Sequence, residues 1–179
     1  MRLGPEAQPG QCHPARSGRP VALTWARVSP ITWPSRQATD DGTPFAELLA
    51  GRGLVPGIKV DRGANPLAGA PDEKVTEGLD GLRERLAGYR ELGARFTKWR
   101  AVLAIGPGLP SDYAIRVNAH ALARFAALSQ EQGLVPIVEP EALMDGSHTI
   151  ERSYATTAVC SKPWSASFTS TGFGSRACC

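Results

Sequence analysis

Between residues 39 and 159 the apolar residues switch repeatedly from a spacing near 3.6 to short continuous runs, and that alternation restricts the fold more than any other feature. Phe45, Leu48 and Leu49 follow a turn-like Asp-Gly-Thr-Pro and predict a short helix from about Pro44 to Gly53. A strand is expected next, over Leu54 to Asp61. From Gly78 onward Leu79, Leu82, Leu86, Tyr89 and Leu92 recur with charged residues between them until Gly93 stops the pattern, which predicts an amphipathic helix. Phe96 to Ile105 reads as a second strand. The loop Gly106, Pro107, Gly108 and Pro110 then delivers Ser111 as the N-cap of a helix running to about Gln132. That helix places Ile115, Ala119, Leu122, Phe125 and Ala126 on one stripe, and Gly133 ends it. Leu134 to Val138 is a third, buried strand, and Thr149 opens a last helix whose pattern fades near Val159.

Strands separated by helices of this length must run parallel, because parallel neighbours need a crossover, and the class is therefore α/β. A closed barrel of eight βα units takes about 250 residues. Residues 39–159 supply three to four such units, enough for part of a TIM (β/α)8 barrel and not for the whole.

The two ends are different material. Residues 1–38 are interrupted by Pro5, Pro9, Pro14, Pro20, Pro30 and Pro34, so disorder is expected there, with Val21 to Val28 as a possible short strand. Residues 160–179 are rich in Ser, Thr and Gly, lack an acid, and are not expected to fold. Cys12, Cys160, Cys178 and Cys179 all lie in these ends, at spacings that do not make the paired motif of a structural zinc site. The five arginines of residues 1–38 are dispersed, so neither nucleic acid nor a membrane surface is an expected partner. No apolar run reaches the roughly 18–20 residues of a membrane span, and no secretory signal is recognised, so a cytoplasmic protein is expected. His120 and His148 read as structural histidines.

The three strands carry charges where buried strands normally do not. Residues i and i+2 of a strand face the same way, so Lys59 pairs with Asp61 on one side of its strand, Lys98 with Arg100, and Glu139 with Glu141. Burying an unpaired charge costs several kcal/mol or forces neutralisation, so six on three strands need a reason. One reason is a polar barrel interior, where Lys59, Lys98 and Arg100 hold phosphates and the carboxylates move protons. The other is a structural ion-pair network or simple exposure at strand ends.

These residues sit in strings that resemble a known family. Pro56-Gly-Ile-Lys-Val-Asp61, Gly78-Leu-Asp-Gly-Leu82, Phe96-Thr-Lys-Trp-Arg100 and Leu134-Val-Pro-Ile-Val-Glu-Pro-Glu141, followed by Asp145-Gly146-x-His148, look like class I fructose-1,6-bisphosphate aldolase over about residues 39–159. The resemblance implies a TIM barrel, usually a homotetramer, that reversibly cleaves fructose 1,6-bisphosphate to dihydroxyacetone phosphate and glyceraldehyde 3-phosphate through a lysine Schiff base, without a metal or other cofactor. It implies that Lys98 and Arg100 contact substrate and phosphate, that Glu139 is the acid/base carboxylate with Glu141 beside it, and that Lys59 is an active-site cation. Asp61 is an interior partner.

The chain also departs from the family pattern. The family's Schiff-base lysine follows a Leu-Leu-Lys-Pro-like strand, and no such string occurs after Glu141, where Lys162 is the remaining lysine. The acidic residue of the family's first strand has no recognisable counterpart in residues 1–38. Reverse-translated and read two bases later, residues 160–179 permit a string resembling the family's next helix, which suggests a shifted reading frame. The chain is therefore expected to be an aldolase without cleavage activity, or a non-catalytic fragment that binds sugar phosphate weakly or joins intact subunits.

Overall fold

Short apolar strands between amphipathic helices build a parallel sheet with helices on one face. The computed structural model describes residues 23–26 and 38–159. In chain order the elements are β1 (Leu23–Ala26), α1 (Phe45–Gly51), β2 (Val55–Lys59), β3 (Ala64–Pro66), β4 (Lys74–Thr76), α2 (Leu82–Glu91), β5 (Phe96–Leu103), α3 (Asp112–Glu131) and β6 (Val135–Ala142). Residues 150–159 form a final helix, α4. Strands β1, β2, β5 and β6 lie side by side in that order, all parallel, as expected of successive βα units. The possible strand at Val21 to Val28 is present as Leu23–Ala26, paired with Val55 to Ile58. The remainder of residues 1–37 and the whole 160–179 tail, with the four cysteines and Lys162, lie outside the described residues.

The core forms where the helical stripes meet one face of the sheet. Ile58 and Val60, Trp99 and Ala101, and Val138 pack against Leu82 and Leu86 of α2 and against Leu122, Phe125 and Ala126 of α3. Trp99 is fully buried and tilts at 31° against Phe125, ring centroids 5.5 Å apart. Gly57 has a specific reason to be glycine: a Cβ there would lie 2.2 Å from the Phe96 ring on the neighbouring strand.

The expected helix of residues 111–132 is realised as α3. Ser111 caps it, its hydroxyl accepting a bond from the Ala114 N–H at 3.2 Å, and Gly133 at φ +67° turns the chain into β6. Strand β6 runs on to Ala142, beyond the expected end at Val138, although Pro136 and Pro140 lie within it. Val135 and Leu143 donate their N–H groups to β5 and its approach, to Arg95 and Leu103 carbonyls, so even-numbered residues of β6 aim theirs at the opposite side. The missing proline N–H groups therefore fall on the outer side of an edge strand, where they break no bond to β5.

One element was absent from the sequence expectations. After Asp61 the chain makes an antiparallel hairpin, β3 with β4, a two-stranded sheet of its own that side chains tie to the rest of the fold. Asn118 of α3 accepts from the Thr76 N–H at 3.3 Å and donates to the Lys74 and Ala114 carbonyls at 2.9 and 3.0 Å. Thr76 donates to the Arg100 carbonyl at 2.7 Å. The buried Glu73 carboxylate accepts from the Ser111 N–H at 2.8 Å and from its hydroxyl, tying the hairpin to the start of α3. The helix expected from Leu79 begins only at Leu82, because Gly81 adopts φ +60° at its N-cap.

Candidate functional site

Side-chain alternation sorts the sheet into an apolar face and a polar one. Trp99 and Ala101 point into the helical layer, so Lys98 and Arg100 point away from it, and the register carries the same division across the sheet. Lys59 is in register with Lys98, and Arg100 with Glu139. All five candidate residues, Lys59, Lys98, Arg100, Glu139 and Glu141, thus share the face opposite the helices, and Asp61 joins them just beyond the end of β2.

The like charges of Lys59 and Lys98 would repel, and each takes a carboxylate of its own. Lys59 Nζ donates to Asp61 Oδ1. Lys98 Nζ lies 2.5 Å from Glu139 Oε2. Arg100 grips Glu141 through two bonds, Nε to Oε2 and Nη2 to Oε1, the latter 2.5 Å long. The register partners of Lys98 and Arg100 are Ile137 and Glu139, so each cation reaches the carboxylate two residues further along β6. Periodicity can place six charges on one face, but this diagonal choice of partner depends on register, which the sequence does not display.

Burial is uneven across the network. The Asp61 side chain is 2% exposed and that of Lys98 14%, whereas those of Arg100 and Glu141 are 41% and 39% exposed. Asp61 therefore does more than neutralise Lys59. Its Oδ1 also accepts from the Gly63 N–H at 3.1 Å and its Oδ2 from the Arg100 N–H at 3.4 Å. The ladder between β2 and β5 ends with the Val60 N–H on the Lys98 carbonyl, and the Asp61 carboxylate continues it by one step with a side chain. An Asp directly after a strand with Gly two residues later is the local signal of such a turn. Thr76 and Asn118, which brace the same region, have no comparable sequence signature.

The hydrogen bonds from Arg100 hold the Glu141 carboxyl below the usual carboxylate range, with the charges of Arg100 and Lys98 adding to the effect and burial opposing it. Arg100 moves the other way, upward, for the same reason: the Glu141 bonds first, then the charges of Glu141, Glu139 and Asp61, against burial. The pair is ionised on both sides at neutral pH. Chemically, the face offers cations for an anion and carboxylates for hydroxyls or protons. Among the described residues no group of three His, Cys, Asp or Glu side chains is arranged to hold a metal ion, and no helix is long and apolar enough to cross a membrane. His148 lies in the loop after β6 and is partly buried, with its Nδ1 atom lacking a hydrogen-bond partner.

Both the sequence and the fold have relatives among known proteins. The family model described as glycolytic fructose-bisphosphate aldolase class-I matches residues 34–170, past both ends of the 39–159 stretch over which the resemblance was read. A probable fructose-bisphosphate aldolase class 1 of Xanthomonas axonopodis pv. citri is 66% identical over 122 residues, covering 68% of this chain and 36% of that protein. The cytosolic fructose-bisphosphate aldolase 6 of Arabidopsis thaliana is 57% identical over 121 residues, covering 68% and 34%. Among solved structures, fructose-bisphosphate aldolase from Plasmodium falciparum, in a ternary co-crystal with TRAP and a small-molecule inhibitor, superposes with a TM-score of 0.74 at 42% identity, covering 78% of this chain and 41% of that one. The chain spans about a third of the length of the curated relatives it matches.

Proposed function

The chain belongs to the class-I fructose-bisphosphate aldolase family, and from that membership we propose that its polar sheet face is the sugar-phosphate-binding part of an aldolase site. The observation that supports this most directly is the pairing of Lys98 with Glu139 and of Arg100 with Glu141 on the face turned away from the helices. In this reading Lys98 and Arg100 hold substrate and phosphate, Lys59 adds a third cation, Glu139 gives and takes the proton, and Glu141 neighbours it. The substrate is fructose 1,6-bisphosphate and the products are dihydroxyacetone phosphate and glyceraldehyde 3-phosphate.

Cleavage by this route needs an un-ionised lysine amine that condenses with the sugar carbonyl and expels water, with a carboxyl beside it to shuttle the proton. Lys98, next to such an amine, would favour its neutral form by like-charge repulsion. Among the described residues no lysine is assigned that role, and Lys162 lies outside them. The lysines among the described residues are Lys59, Lys74 and Lys98; Lys59 and Lys98 are engaged by carboxylates, and Lys74 is an exposed residue of the β3–β4 hairpin. In this reading the chain binds sugar phosphate weakly and does not cleave it. We place it in the cytoplasm.

Titration with fructose 1,6-bisphosphate, followed by amide shifts, is expected to perturb β5 and β6, with affinity falling at least about tenfold in Lys98→Met and Arg100→Gln. Borohydride treatment in the presence of the same sugar is expected to trap no adduct. A trapped adduct overturns the inactivity, and unchanged affinity in both variants overturns the site.

A second reading rests on β6, which has no strand beyond it among the described residues. Association with an intact aldolase subunit along that edge would parallel the family's tetrameric habit. Co-purification with a tagged full-length subunit tests it, and recovery of this chain alone rejects it.

A further inference from the structure

On the polar face three cations, Lys59, Lys98 and Arg100, meet three carboxylates, Asp61, Glu139 and Glu141, so the charges cancel. Such a face is not a standing receptor for anions. Arg100 in particular presents its Nε and Nη2 to Glu141, so the side-on edge of the guanidinium, one of the two edges a phosphate can approach as a fork, is taken. A phosphate that takes this edge must displace the carboxylate, which then finds other donors or is left with water beside a second anion, and one that takes the other edge sits against the Glu141 charge.

The two kinds of ligand differ in what they offer that carboxylate. A bare phosphate, or an ester with no other polar group, carries any proton on the same anionic centre that repels Glu141. A sugar phosphate brings neutral hydroxyls some bonds away from its phosphorus, and these can donate to the carboxylate while the phosphate takes the guanidinium. Glu141 is 39% exposed and near the end of β6, so its side chain has room to turn. The main chain of Arg100 does not need to follow, because the buried Asp61 carboxylate holds its N–H.

Resting on the reading of this face as a sugar-phosphate site, we propose that Glu141 determines its specificity: it occupies Arg100 against simple phosphates and yields it to a phosphate ester whose hydroxyls replace the guanidinium as donors. This is rejection of the wrong ligand by an internal competitor, working alongside attraction of the right one. Glu141→Gln keeps the shape and removes the competing charge.

The test is titration of the whole chain with methyl phosphate and with fructose 6-phosphate, which carry one phosphate each and differ in hydroxyls, alongside fructose 1,6-bisphosphate as a check on the site. The unsubstituted chain is expected to prefer fructose 6-phosphate over methyl phosphate by about tenfold or more. Glu141→Gln is expected to bind methyl phosphate about tenfold more tightly and so to narrow that preference, and Arg100→Gln in the same chain is expected to erase the gain. Glu141→Ala, with its thermal unfolding followed in parallel, separates loss of the competitor from loss of the fold. If fructose 1,6-bisphosphate binds but neither Glu141 variant tightens methyl phosphate, the assignment to Glu141 fails and the site stands. If neither sugar phosphate binds the unsubstituted chain and methyl phosphate does not bind Glu141→Gln, both fail.

Discussion

Two carboxylates on the polar face, Glu141 and Asp61, have opposite surroundings. Glu141 is half in water and owes its lowered pKa first to the Arg100 hydrogen bonds. In Arg100→Gln its titration is expected to rise toward the ordinary value of about 4.3, which carboxyl NMR across an acid titration reads directly. The sign for stability follows: a folded pKa below the unfolded one means that the contribution is complete above the unfolded value and is lost as pH falls through the folded one. That contribution is small, because solvent screens a pair this exposed. Asp61 is the contrasting case, buried, with Lys59 and two backbone N–H groups as partners. Asp61→Ala leaves those N–H groups unsatisfied at the junction of β2 and β5 and is expected to cost about 2 kcal/mol in urea unfolding. The strand pattern put Asp61 on the same side as Lys59, and the family resemblance made it an interior partner. It did not reveal the bond to Arg100, 39 residues away, because that bond depends on the two strands being neighbours.

Periodicity carried the larger elements and missed the small one. The stripes of α2 and α3 and the runs of β2, β5 and β6 are long enough for their spacing to show before any tertiary contact is known. Strands β3 and β4 have three residues each, one of them Pro66, and no period can be read from three residues. Much of what ties them to the rest of the fold is supplied from 42 and 44 positions away, by Asn118. Asn118→Ala removes three hydrogen bonds, and about 2–3 kcal/mol of destabilisation is expected. Amide exchange over residues 64–76 should quicken before that of β5 does, and uniform quickening would mean that the hairpin is not a separate unit. Gly57 gives a second test at this scale. Gly57→Ala drives a methyl group toward the Phe96 ring and is expected to destabilise the chain by about 1–3 kcal/mol, with Phe96→Ala in the same chain recovering part of the clash while losing the ring's packing.

At the scale of the molecule, four parallel strands and their helices make part of a barrel whose polar side is turned away from the helical layer. The family resemblance was legible because its strings lie on the strands that carry the charges, where backbone geometry fixes which side chains share a face. The helix-facing side was legible for the same reason. Among the described residues strand β6 ends the sheet, and of its four outward-aimed positions, 136, 138, 140 and 142, two are prolines. Any chain that settles against that rim meets donors only at Val138 and Ala142, so a slipped alignment forfeits hydrogen bonds that a matched one keeps. The prolines act as teeth removed from a comb: they leave the border open to a neighbour while restricting the positions at which it can lock.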